Sequence, residues 1–167
     1  MKTFHLALIC TFLYLTVPHN RASALDTPNL PDASAPISGS LIVLQGAGIR
    51  VLTHHGAWGA FFGSGGDGES YFLIAGEFEN TSGKPLTYVK FQFELLNKEG
   101  TVVIRDYGYN RKAEALREEE YESGKKSLAE MKIEQLAAGA KDGFRFFFFK
   151  SDIPEFHSYR VRFLESR

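Results

Sequence analysis

The sequence predicts an all-β protein: a two-layer sandwich of about seven to eight strands with one short inserted surface helix. Three observations lead there. From Leu41 onward, short apolar runs alternate with turn signals at regular spacing. Residues 89–95 alternate strictly, with Val89, Phe91, Phe93 and Leu95 on one side and Lys90, Gln92 and Glu94 on the other. Such a pattern marks a strand with one buried and one wet face. The chain also holds 15 phenylalanines, most of them on positions expected to point inward, and large rings build a core without covalent help.

The first residues read as an export signal. Lys2 supplies a positive n-region, residues 4–17 are apolar apart from His5, Thr11 and Thr16, and Ala22-Ser23-Ala24 follows Pro18 as an A-x-A cleavage site. The apolar run falls short of the roughly 20 residues a spanning helix needs, so residues 1–24 are read as a cleaved signal peptide and the protein as periplasmic or secreted. Cys10, the single cysteine, follows Ile9 and lies too early for lipid attachment. The exported part therefore carries no thiol and no disulfide. Losing Lys2 and Arg21 leaves 17 of 19 basic residues against 20 acidic ones, and that mild negative balance gives no reason to expect a nucleic acid partner. No membrane span is expected after cleavage, since later apolar runs such as residues 146–149 are only a few residues long.

Residues 25–39 contain Pro28, Pro31 and Pro36 among Asp, Ser and Asn, the composition of a solvated linker. The sandwich is expected over 40–167. Strands are expected at 41–44 and 49–52, with Gly46 and Gly48 making a bulge or bend between them. Gly63-Ser64-Gly65-Gly66-Asp67-Gly68 reads as a loop, and 71–79 as a strand with Phe72, Ile74 and Phe78 on one face. Asn80-Thr81-Ser82-Gly83 turns the chain into 89–95, and Asn97-Lys98-Glu99-Gly100 forms a hairpin into 101–105. Residues 107–127 break the β pattern. Within them 111–122 is rich in helix formers with a thin apolar stripe of Ala113, Leu116 and Tyr121, predicting a helix on the surface. β texture returns at Met131 and Ile133, then at 144–150 and 159–164, where Val161 and Phe163 oppose Arg160 and Arg162.

Gly76-Glu77-Phe78-Glu79-Asn80, then Phe93-Glu94-Leu95-Leu96-Asn97 with Gly100, Val102 and Val103, resembles the FxLYD domain. Leu136-Ala137-Ala138-Gly139 stands where that family has an L-x-P-G turn, and Phe144, Phe146, Tyr159 and Val161 fit its last strands. Here Leu96, Asn97 and Ala138 replace the family's Tyr, Asp and Pro, and 107–127 looks like an insertion. The resemblance covers roughly 70–165 and implies an immunoglobulin-like β-sandwich of exported bacterial and archaeal proteins, with no general enzymatic activity.

Chemistry-bearing groups are sparse. His54 and His55 are adjacent, and on a strand they point to opposite faces, so one ion does not readily take both; solvent-facing histidines at a strand end are expected. No metal site and no cofactor are expected. Gly56-Ala57-Trp58 resembles the G-x-W element of lipocalins, although a full strand precedes it. The glycine-rich loop with Asp67 and Glu69 lacks the carboxylate alternation of a calcium site and the Lys-Ser/Thr of a phosphate loop. There is no G-x-S-x-G elbow, and Asn80-Thr81-Ser82 matches a glycosylation sequon. The function expected is a non-enzymatic, exported binding or interaction module of the cell envelope with an envelope protein as partner. The alternatives are a lipocalin-like carrier of a small apolar ligand, and a hydrolase without a recognisable motif. Contact residues are expected in the insertion (Leu116, Glu118, Glu119 and Tyr121) and in a 58–67 loop region (Trp58 and Asp67).

Overall fold

The computed structural model describes residues 37–43, 46–62 and 68–167, without the side chain of Phe62. The signal-peptide segment, nearly all of the linker and Asp67 lie outside the described residues. Seven strands form two sheets: β1 (Gly39–Ile42), β2 (Ile49–Phe62), β3 (Gly68–Asn80), β4 (Val89–Leu96), β5 (Val102–Tyr109), β6 (Lys141–Phe149) and β7 (Ser158–Ser166). One sheet has the order β1-β7-β4-β5 and the other β2-β3-β6. All neighbours are antiparallel except β1 and β7. The chain is an all-β sandwich. The described strands make two open sheets and not a closed barrel.

The alternation read from the sequence fills the space between the sheets. Phe72, Ile74 and Phe78 of β3 and Val89, Phe91, Phe93 and Leu95 of β4 are all fully buried. Phe144, Phe146 and Phe148 of β6 meet them, with Phe93 stacked on Phe146 at 5.1 Å and Phe91 tilted against Phe144 at 4.6 Å between centroids. Three polar residues are also buried, Glu94 among them on the face of β4 opposite the core. Glu94 accepts hydrogen bonds from Arg160 and Arg162. The Asn110 side chain accepts from Val89 N at 2.7 Å and donates to Asp142 at 2.7 Å. Asn80 donates to the carbonyls of Lys84, Leu136 and Ala137 and accepts from the amide and hydroxyl of Ser82. Its amide nitrogen is thereby committed in the folded protein, and the sequon has a structural use.

Four expectations change. β2 runs 14 residues through Trp58 to Phe62, where a loop was expected, because its small residues make room for rings from neighbouring strands. A Cβ on Gly56 would lie 2.6 Å from Phe72 and Tyr159 ring atoms, and one on Gly59 2.5 Å from the Tyr71 ring. β5 continues to Tyr109, into the segment read as non-β. Met131 and Ile133 lie in a turn and an irregular stretch and form no strand. The expected surface helix is a 3₁₀ segment, Arg111–Arg117, followed by a single turn, α1 (Glu119–Glu122). Ala113 and Leu116 are fully buried with Tyr88 and Tyr109 in a second, smaller core. The stripe is thin because only one short 3₁₀ run has to be anchored, where it packs against the edge strands β5 and β6.

Gly76 gives a direct check on the packing. A Cβ there would lie 2.4 Å from Thr53 O and 2.4 Å from Phe144 Cζ, so both backbone and core ring must yield. Gly76→Ala is expected to cost about 1–3 kcal/mol in urea unfolding. An unchanged midpoint would show that the two sheets are not packed this closely.

Candidate functional site

The residues expected to make contacts are scattered. Trp58 faces the inside of the β2-β3-β6 sheet, half-buried against Phe72 (5.6 Å) and Phe156 (5.8 Å). Leu116 has no exposed surface and cannot meet a partner, a correction that follows from its place in the smaller core. Tyr121 packs at the border of that core. Glu118 and Glu120 share Lys126, and Glu122 accepts a hydrogen bond from the Tyr107 hydroxyl, which leaves Glu119 as an exposed acid of the run with no side-chain partner among the described residues. Trp58 belongs to the β2 edge of its sheet, whereas the inserted segment packs on the β6 edge, so the structure does not bring the two groups together.

The histidines do point to opposite faces, but in mid-strand and not at a strand end. His54 turns inward, its Nδ1 2.9 Å from the Tyr159 hydroxyl, while His55 is on the outer face. Burial pushes the Tyr159 phenol above its ordinary value, so it stays protonated at neutral pH. Among the described residues, no group of three or more His, Cys, Asp or Glu side chains is placed to hold a metal.

The feature the sequence reading missed is the outer face of the β2-β3-β6 sheet. A period-two strand sends half its side chains outward whatever their polarity. In β6 the run of phenylalanines therefore puts Phe144, Phe146 and Phe148 in the core and Phe147 and Phe149 outside. Cross-strand register sets Phe149 opposite Tyr71, Phe147 opposite Leu73, and Phe61 opposite Glu69 on the same face. These rings gather into one cluster: Phe61 lies 4.4 Å from Tyr71, 5.9 Å from Phe147 and 6.4 Å from Phe149. Phe61 remains 49% exposed and Phe149 36%.

Along the same face the character changes. Ala75 is paired with Arg145, Glu77 with Gly143, and Glu79 with Lys141. Arg111, from the start of the 3₁₀ segment, reaches this face too: a Cβ on Gly143 would lie 2.9 Å from its Cδ. The Arg111 position is fixed by its neighbours, since Asp142 accepts from both the Asn110 side chain and Lys112 N. The result is an open groove of about 660 Å³ floored by Leu73, Ala75 and Gly143, with rings at one end and Arg111, Lys141 and Arg145 at the other. That volume is in the range of small-molecule sites. Arg145 pairs with Glu114 at 3.2 Å, whereas Arg111 and Lys141 form no ion pair among the described residues.

Among the described residues no helix is long and apolar enough to cross a membrane. Comparison of the chain with family models, with curated proteins and with solved structures gave no match.

Proposed function

We propose that this protein is a non-enzymatic, exported binding module of the cell envelope, and that its recognition surface is the outer face of the β2-β3-β6 sheet. The observation that carries this is the ring cluster of Phe61, Tyr71, Phe147 and Phe149, standing in solvent beside an open groove. Contiguous exposed apolar surface on a folded domain marks a contact site. The non-catalytic reading is supported by how polar groups are used. Glu94, Asp142 and His54, residue types that do acid–base work when free, are tied to Arg160 and Arg162, to Asn110 and Lys112, and to Tyr159. Export rests on residues 1–24 of the sequence alone. The FxLYD resemblance belongs to the same proposal, supported by its motif residues falling on the end of β3 and on β4.

The test is affinity capture from envelope extract together with native mass spectrometry of the purified protein. Phe61→Ser with Phe149→Ser is expected to abolish what the unaltered protein retains, while Gln92→Ser on the opposite sheet leaves it. Retention unchanged by the phenylalanine pair would remove this face from the function.

A further inference from the structure

Resting on the assignment of that face as the recognition surface, we infer that the groove binds an anionic amphiphile. The ligand's aliphatic body lies on Phe61, Tyr71 and Phe147, and its acid head meets Arg111 and Lys141.

The apolar end argues for a hydrocarbon body. Phe61 and Phe147 have no hydrogen-bonding atom in the side chain, and Tyr71 supplies one hydroxyl for the whole cluster. A sugar would need polar groups interleaved with the rings; Glu69, opposite Phe61, stands outside the groove lining, and between the rings there is only the Tyr71 hydroxyl. Small residues keep the floor low between the two ends. Ala75 and Gly143 lie on the face itself, and Gly59 leaves room for the Tyr71 ring beside them.

The other end argues for negative charge. Arg111 and Lys141 are exposed and unpaired among the described residues, while Arg145 is held by Glu114. Of the acids lining the groove, Asp142 has both oxygens occupied, by Gly143 N at 2.8 Å and by Asn110 and Lys112. Glu79, opposite Lys141, is paired with Arg50 at 2.6 Å, so Glu77 is the acid left facing these cations, and one carboxylate does not balance two of them. The spacing suits an elongated molecule. From Phe147 to Gly143, which Arg111 overlies, is four residues of strand, or roughly 13 Å, and to Lys141 six, or roughly 20 Å, at about 3.3 Å per residue. An acyl chain with a terminal carboxylate spans such a distance, and its head can accept charge-assisted hydrogen bonds from a guanidinium.

The experiment is calorimetric titration of the purified full-length exported protein with dodecanoate, dodecanol and dodecyltrimethylammonium, each kept below its aggregation concentration. Dodecanoate is expected to bind at least about tenfold more tightly than the other two. Arg111→Gln and Lys141→Gln should each weaken dodecanoate several-fold and leave dodecanol unmoved, Phe61→Ser should weaken both, and Glu77→Gln should tighten dodecanoate. All four positions are exposed, so the variants should keep their fold. Equal binding of the three ligands, indifferent to the charge changes but lost with Phe61→Ser, overturns the acid head and leaves the recognition face standing. No binding, with self-association that Phe61→Ser abolishes in sedimentation, makes a second copy the occupant and overturns the amphiphile. If neither ligand binding nor partner capture responds to Phe61 and Phe149, the amphiphile and the recognition face fall together.

Discussion

Asn80→Asp is expected to destabilise the protein by at least about 3 kcal/mol near neutral pH, although it changes one NH₂ for one oxygen. The side-chain nitrogen of Asn80 donates to Lys84 O at 2.8 Å, Leu136 O at 3.0 Å and Ala137 O at 3.1 Å, all within a residue that has no exposed surface. Its backbone is used as well, since Asn80 N donates to Ala140 O and Gly139 N donates to Asn80 O. One residue thus ties the turn after β3 to the turn before β6. A carboxylate in its place faces three carbonyl oxygens with no hydrogen to offer. The sign of the pH dependence follows. Burial among acceptors raises the folded-state pKa of the introduced carboxyl above the ordinary aspartate value of about 3.9. The carboxyl can donate while protonated, so the penalty is small below pH ~4 and grows as pH rises towards the folded pKa, by up to about 1.4 kcal/mol per pH unit. Urea unfolding of the variant and the unaltered protein at pH 4 and pH 7 measures this. A difference that shrinks with rising pH would contradict the hydrogen-bond assignment.

Asn80 also shows what a sequence conceals. In Asn80-Thr81-Ser82-Gly83 it looks like any turn asparagine, because its partners near Leu136 stand some 56 positions away. Local patterning was enough to find β3, β4, β6 and β7, and in β4 and β7 the alternation of apolar and polar residues also fixes which face is buried. It failed for β2, whose glycines and alanines read as loop material until the rings that need their space are known. The recognition face was illegible for a related reason. Four successive phenylalanines fit a strand in either phase, so the run at 146–149 says that two rings point outward without saying that Phe61 and Tyr71 join them. Of the six residues expected to make contacts, none lines the groove; Asp67 is outside the described residues. The groove's charged end draws Arg111 from the inserted segment, a side chain that nothing in the local pattern distinguishes from the other charges of 111–122.

That segment supports the last expected result. Leu116→Ala should cost about 2–4 kcal/mol, as a fully buried leucine in a cluster with Tyr88, Tyr109 and Ala113. Glu119→Lys, on the exposed turn that follows, should stay within about 0.5 kcal/mol of the unaltered protein. The consequence of Leu116→Ala reaches the opposite sheet. The 3₁₀ run that Leu116 anchors carries Arg111 over Gly143 and holds Glu114 against Arg145, so both set the cationic end of the groove from one short stretch. Loosening the anchor should therefore weaken dodecanoate more than dodecanol, although Leu116 touches neither. Guanidinium or urea unfolding gives the first number and the paired titrations the second. A variant of unchanged stability that lost a protein partner would instead put Leu116 on an accessible surface and return the insertion to the role of direct contact site. A large loss of stability with selective loss of the anionic ligand would show that the insertion works as a brace, fixing two charges at the edge of a sheet that could not otherwise hold them.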